Sequence, residues 1–164
     1  MDMESMRDLL EHEIQDLYSV ESQILEALPT MIENATDPSL RDALEDHLDA
    51  TEDQKARLEE IAESLEFDVD GEKCKGMAGI LKEGSESVKD AEEGAIRDAV
   101  IIASAQKVEH YEMAGYGTAR SLARLLGETE AAERLEETLD EEKEADRLLT
   151  EIAESEVNRQ AAAE

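Results

Sequence analysis

Residues 99–117 read AVIIASAQKVEHYEMAGYG. The first seven are apolar or small, and a helix propagated through them at about 100° per residue carries their face onward through Gln106 and His110, with Glu109 on its shoulder. A carboxylate, an imidazole and an amide therefore continue a stripe that ought to be apolar. Buried and unpartnered, a carboxylate is costly, so it calls for a cation, a proton or a hydrogen-bonding neighbour.

The same pattern recurs on three other amphipathic stretches. Between residues 3 and about 35 the apolar positions Leu10, Ile14, Leu17, Ile24 and Leu28 form one stripe, and Glu21 lies about 40° from Leu17, inside it. Asp37 and Pro38 suit the N-cap and first position of a second helix running to about Glu66. His47, Thr51 and Gln54 occupy the middle of its stripe. A break at FDVDGEKCKG precedes a short helix over Lys75–Asp90, and a third long helix spans about 92–126. Gly127 stops it, and the last long helix reaches about Val157, with Leu135, Glu142 and Leu149 aligned and Thr138 and Asp146 beside Glu142. Four apolar stripes with a polar patch near mid-helix predict an all-α, ferritin-like four-helix bundle. An extra short helix sits in the connection between the second and third long helices. Residues 1–157 form one domain in this reading, and 158–164 a frayed tail.

Composition agrees with helices and narrows the function. The 164 residues are 40% hydrophobic, with three Tyr, one Phe, no Trp and two Pro. Forty-five acidic residues against 16 basic give a net charge of −29. Such a chain repels nucleic acid and lacks a basic face for anionic membranes. High acidity with regular apolar periodicity points to a folded protein in a salt-rich, halophile-like cytoplasm, where screening lets carboxylates crowd a surface. A single cysteine, Cys74, fits a reducing compartment. No secretory signal pattern and no apolar run long enough to span a bilayer are visible. Gly-rich phosphate loops, a nucleophile with a partnering base, and rubredoxin-type Cys pairs are likewise not found in this sequence, and no catalytic residue is named by it.

Carboxylates and imidazoles gathered at one level of a bundle are the donor set of a di-iron or di-manganese centre. The candidates on this ground are Glu21, His47, Glu109, His110 and Glu142, with Asp146 alongside. A lone histidine on a stripe is more often a satisfied core residue, and acidic runs are more often solvated faces. Coincidence on four helices is harder to dismiss. The Glu-x-x-His pairs of a regular di-iron bundle are nevertheless missing, since Ala50 follows His47 and Ala145 follows Glu142 at that spacing.

The segments DLYSVESQILEALPTM (16–31), EDHLDATEDQKARLEEI (45–61), KCKGMAGILKEG (73–84), IIASAQKVEHYEMAGYGTARSLARLLG (101–127) and LEETLDEEKEADRLLTEIA (135–153) strongly resemble the YciE/YciF stress proteins. The resemblance covers about residues 7–155 in order, and AQKVEHYE followed by YGT is its most specific part. It implies a ferritin-like, rubrerythrin-related bundle, commonly dimeric and linked to stress response, with a di-metal carboxylate site of iron or manganese. Its ligand positions fall on Glu21, His47, Glu109, Glu112, Glu142 and Asp146. Of these, Glu112 is brought in by the resemblance alone, because the facing argument sets it well off the core. Relatives often carry a carboxylate where this chain has Ala50. Two readings follow: a metal-binding stress protein, or a dimeric helical scaffold whose polar layer fixes helix register without a metal.

Overall fold

The computed structural model describes residues 3–163. Its helices are α1 (Met6–Asn34), α2 (Pro38–Ser64), α3 (Lys75–Asp90), α4 (Ala95–Leu125) and α5 (Thr129–Ile152), then a π-helical turn at Ala153–Val157 and α6 (Asn158–Ala161). Of the tail expected over 158–164, the structure describes residues 158–163, where α6 follows the fully buried Val157.

Local chemistry explains the helix ends. Ser5 and Asp8 form a reciprocal capping box at the start of α1, with bonds of 3.1 and 2.8 Å. Asp37 caps α2 by accepting from the Leu40 N–H at 2.9 Å, with Pro38 at the first turn as expected. At the end of α4, Gly127 takes a φ of 79°, and its N–H and that of Glu128 return to the Arg124 and Ala123 carbonyls at 3.2 and 2.9 Å. The end of α2 closes in the same way, but Glu66 rather than glycine holds the left-handed conformation there, with a φ of 62°.

Cross-links between helices set the topology. Tyr18 donates to Glu59 at 2.8 Å, and Arg7 donates to the Leu65 carbonyl at 2.8 Å, so α2 runs antiparallel to α1. Leu17 packs on Gly115, where an added Cβ would come within 2.8 Å of the leucine. Asp98, near the start of α4, bonds to residues just past the end of α1, so α4 is also antiparallel to α1. Gln54 meets Glu141 while Arg134 meets Glu60, making α5 antiparallel to α2. Consequently α2 and α4 point the same way. The chain between them must travel the length of the bundle, and α3 carries it back against α1 and α4. This long crossover is the ferritin-like connection.

The interior divides in two. One apolar cluster includes Ile24, Leu28, Leu40, Leu44, Ile101 and Leu149, and the other Leu10, Ile14, Leu17, Leu58, Tyr116 and Leu135. A layer of buried polar side chains lies between them in sequence on every long helix: Glu21, Thr51 and Gln54, Glu109 and Glu112, Thr138 and Glu142.

Asp98 was not anticipated from the sequence. Only 2% exposed, it accepts from the Thr36 N–H (2.8 Å), the Thr36 hydroxyl (2.6 Å) and the Asp37 N–H (2.9 Å). It ties the α1–α2 turn to α4. Asp98→Ala leaves those donors without partners, and chemical denaturation is expected to show a loss of about 2–3 kcal/mol.

Candidate metal centre

Each long helix delivers polar groups to the layer. Glu21 comes from α1, His47 from α2, Glu109 and Glu112 from α4, and Glu142 from α5. One ligand atom each from His47, Glu109, Glu112 and Glu142 lies within 4.8 Å of the other three. Glu21 belongs to the same electrostatic group: its carboxyl senses the charge of Glu142, and it is fully buried. His47 Nε2 stands 3.4 Å from Glu109 Oε1 without making a hydrogen bond.

Part of this set is held by neighbours. The Tyr116 hydroxyl donates to Glu21 Oε1, and the Gln54 amide donates to Glu142 Oε1 and, at 2.9 Å, to Glu141 Oε2. Arg57 forks onto Glu141 at 3.1 and 3.2 Å and also donates to Thr138. On α2, Thr51 returns its hydroxyl to the His47 carbonyl at 2.7 Å. What remains in the layer is a group of buried atoms with no partner outside it: Glu21 Oε2, His47 Nε2, Gln54 Oε1, Glu109 Oε2, both oxygens of Glu112, and Glu142 Oε2. These are hard oxygen donors and one imidazole nitrogen, a set suited to manganese or ferrous iron. Four carboxylates also balance the charge of two divalent cations.

The apo electrostatics are strained in the expected direction. Burial, followed by the neighbouring carboxylates and Glu142 above all, raises the carboxyls of Glu21, Glu109 and Glu112 well above the ordinary range. Burial and then the charges of Glu21 and Glu112 push the Tyr116 hydroxyl well above its usual value, so it stays a donor.

Two candidates lie elsewhere. His110 is exposed, its side chain 66% accessible, and its Nε2 pairs with Asp146 Oδ1 at 3.2 Å. Gln106 donates to the same Asp146 oxygen at 3.2 Å and to Thr150 at 2.8 Å. His110 and Asp146 thus form a seam between α4 and α5, outside the buried group. The reason is rotational. The core face of α4 runs through Ile102, Glu109, Glu112, Tyr116, Ala119 and Ala123, so the face drawn through Gln106 and His110 was misplaced by about one residue, or 100°. Small residues are spread over all faces of this helix, and the true face is itself polar at mid-length, leaving little hydrophobic contrast to read. Glu112, set off the core by the facing argument, is fully buried. Tyr116 was missed for the same reason, though its spacing of four from Glu112 puts it on that face. Tyr18 and Tyr111 do not reach the centre; they bond to Glu59 and to Asp16 and Cys74.

The pattern of the family described as "Domain of unknown function (DUF892)" matches residues 5–162. The chain belongs to this family. It is 40% identical over 162 residues to Protein YciF of Escherichia coli strain K12, covering 98% of both chains. The crystal structure of the E. coli stress protein YciF superposes with a TM-score of 0.91 at 39% identity, over 95% of this chain and 99% of that one. The Rhodopseudomonas palustris protein YcfI gives a TM-score of 0.88 at 40% identity, covering 91% and 95%. The YciF-like family and the helical bundle expected from the sequence are therefore both found.

The raised carboxyls fix a sign for pH dependence in the metal-free protein. Folded Glu21, Glu109 and Glu112 hold protons that the unfolded chain gives up near the ordinary glutamate value of 4.5. Their stabilising contribution is complete below that value and is lost as pH rises through the folded values. Melting of chelator-treated protein in fixed high salt is expected to show Tm falling from about pH 5 to about pH 8. Glu112→Gln should flatten part of the slope.

Proposed function

We propose that this protein is a ferritin-like stress-response protein whose bundle centre binds two divalent metal ions, iron or manganese. Glu21, His47, Glu109, Glu112 and Glu142 would hold them. The observation that carries this reading is the convergence of unpartnered, buried carboxylate oxygens and one imidazole nitrogen at a single level of the bundle. A self-satisfied structural layer would draw donors from its surroundings, whereas Glu112 has none outside the group and meets only the carboxyls of Glu21 and Glu142.

Bound there, such ions supply Lewis acidity and, for iron, one-electron redox chemistry. The chain's own contribution is positional. Tyr116 orients Glu21, Gln54 orients Glu142, and the Arg57–Glu141 pair holds Gln54 in turn. The apolar clusters on either side keep water from the layer. A net charge of −29 supports a salt-rich cytoplasm as the setting, and the family resemblance supports a homodimer.

One observation favours the alternative, a metal-free helical scaffold or binding module. On α2 His47 is the one ionisable ligand, because Ala50 carries no donor and Gln54, whose Nε2 is engaged with Glu141 and Glu142, offers only a neutral amide oxygen. Metal analysis separates the two. After anaerobic loading with Fe(II) or Mn(II) in high salt and removal of free metal, about two ions per chain are expected. Glu112→Gln and Glu142→Gln should each lose at least about half of that metal while keeping their helical circular dichroism. Wild-type protein that retains no metal, and whose Tm no metal raises, would favour the scaffold.

A further inference from the structure

Beside the polar layer lies a half-open cavity of about 190 Å³, lined by residues of α1, α2, α3, α4 and α5. Ile24, Leu28, Leu44, Ile101, Val108 and Leu149 wall it, and Ile80 and Leu81 of α3 close one side. At one end it is lined by His47, Ala50, Gln54 and Glu109, so it abuts the candidate metal centre. The metal reading does not require such a space.

We propose that this cavity binds a neutral, largely apolar small molecule carrying one oxygen function, with that oxygen at the His47–Glu109 end. The inference rests on the metal reading only for what the oxygen meets; the apolar part stands on the cavity itself. Dry apolar cavities of about 150 Å³ accept benzene, so this one has room for a chain or ring of about six carbons. Glu109 and His47 line the same end on side chains only 3% and 10% exposed, and their unpartnered Oε2 and Nε2 atoms are buried. A hydroxyl both donates and accepts, so it can satisfy these atoms or ligate a cation held by them.

Charge selects against anions. On the α2–α5 side, where Ala43, Ala50 and Ala145 leave the lining partly exposed, the rim carries Asp46, Glu141 and Glu144. Of these, Glu141 and Glu144 are paired with Arg57 and Arg147, and Asp46 adds an exposed carboxylate. Small residues at this seam also make a passage for a slender chain.

The test is calorimetric titration of metal-loaded protein with 1-hexanol, and with hexanoate as the anionic counterpart, at constant high salt. One-to-one binding of hexanol is expected, with hexanoate weaker by about tenfold or more. Val108→Phe fills the cavity centre and should weaken hexanol by at least about tenfold while metal content stays at the wild-type value. If that variant fails to fold, Ala105→Leu, on a partly exposed part of the lining, serves the same purpose. Hexanol heat with normal metal content, lost in the filled variant, supports the inference. Normal metal content with no hexanol binding, or binding that neither filled variant alters, overturns it and leaves the metal centre intact. Protein without metal that still binds hexanol in a cavity-dependent way sinks the metal reading and supports the cavity, its hydroxyl then meeting His47 and Glu109 directly.

Discussion

Four carboxylates buried at one level of a helical bundle are the constraint to which the rest of the molecule answers. Glu21, Glu109, Glu112 and Glu142 are between 0% and 2% exposed. Moving ionised carboxylates out of water costs several kcal/mol each after relaxation, and mutual repulsion adds to it. Among the described residues no arginine or lysine enters the group to offset this; Arg57 is spent on Glu141 and Thr138. The apolar clusters on either side must hold four helices together across a layer that opposes their approach. In the metal-free state the layer relieves itself by keeping protons, and cations would relieve it more completely at neutral pH.

The surroundings follow from that requirement. A crossover through α3 makes α2 and α4 parallel and lets four helices contribute side chains at one height. Asp98 fixes the α1–α2 turn to the start of α4, which sets the longitudinal register of Glu21 against Glu109 and Glu112. The two neighbours that bond directly to the buried carboxyls of Glu21 and Glu142, Tyr116 and Gln54, each occupy one oxygen and leave the other without a donor. Side chains arranged in that way are preorganised rather than self-satisfied. The cavity beyond His47 extends the apolar interior to the edge of the layer, placing low-dielectric space next to its most polar atoms.

Much of the fold was legible in the sequence because its signals are local. Asp37-Pro38 announced the start of α2, Gly127 the end of α4, and the bounds of α3 matched Lys75–Asp90. Strong stripes on α1, α2 and α5 placed Glu21, His47, Thr51, Gln54 and Glu142 on buried or half-buried faces, and the structure puts them there. On α4 the reading failed by one residue's rotation. Apolar periodicity assumes that the buried face is the greasy one, and on this helix that face carries Asp98, Glu109 and Glu112. Glu112 came from the family resemblance, not from facing, and His110 was drawn in by the misplaced face. Asp98 and the Arg57–Glu141 pair are contacts between distant parts of the chain, and no spacing within one helix encodes them.

Anomalous diffraction at the manganese or iron edge, from crystals grown with the metal at high salt, tests the buried centre most directly. Density is expected inside the bundle, bounded by Glu21, His47, Glu109, Glu112 and Glu142, with His110 and Asp146 taking no part. An interior without anomalous density, or metal found only on surface carboxylates, would contradict a buried metal centre and leave the polar layer as a structural feature.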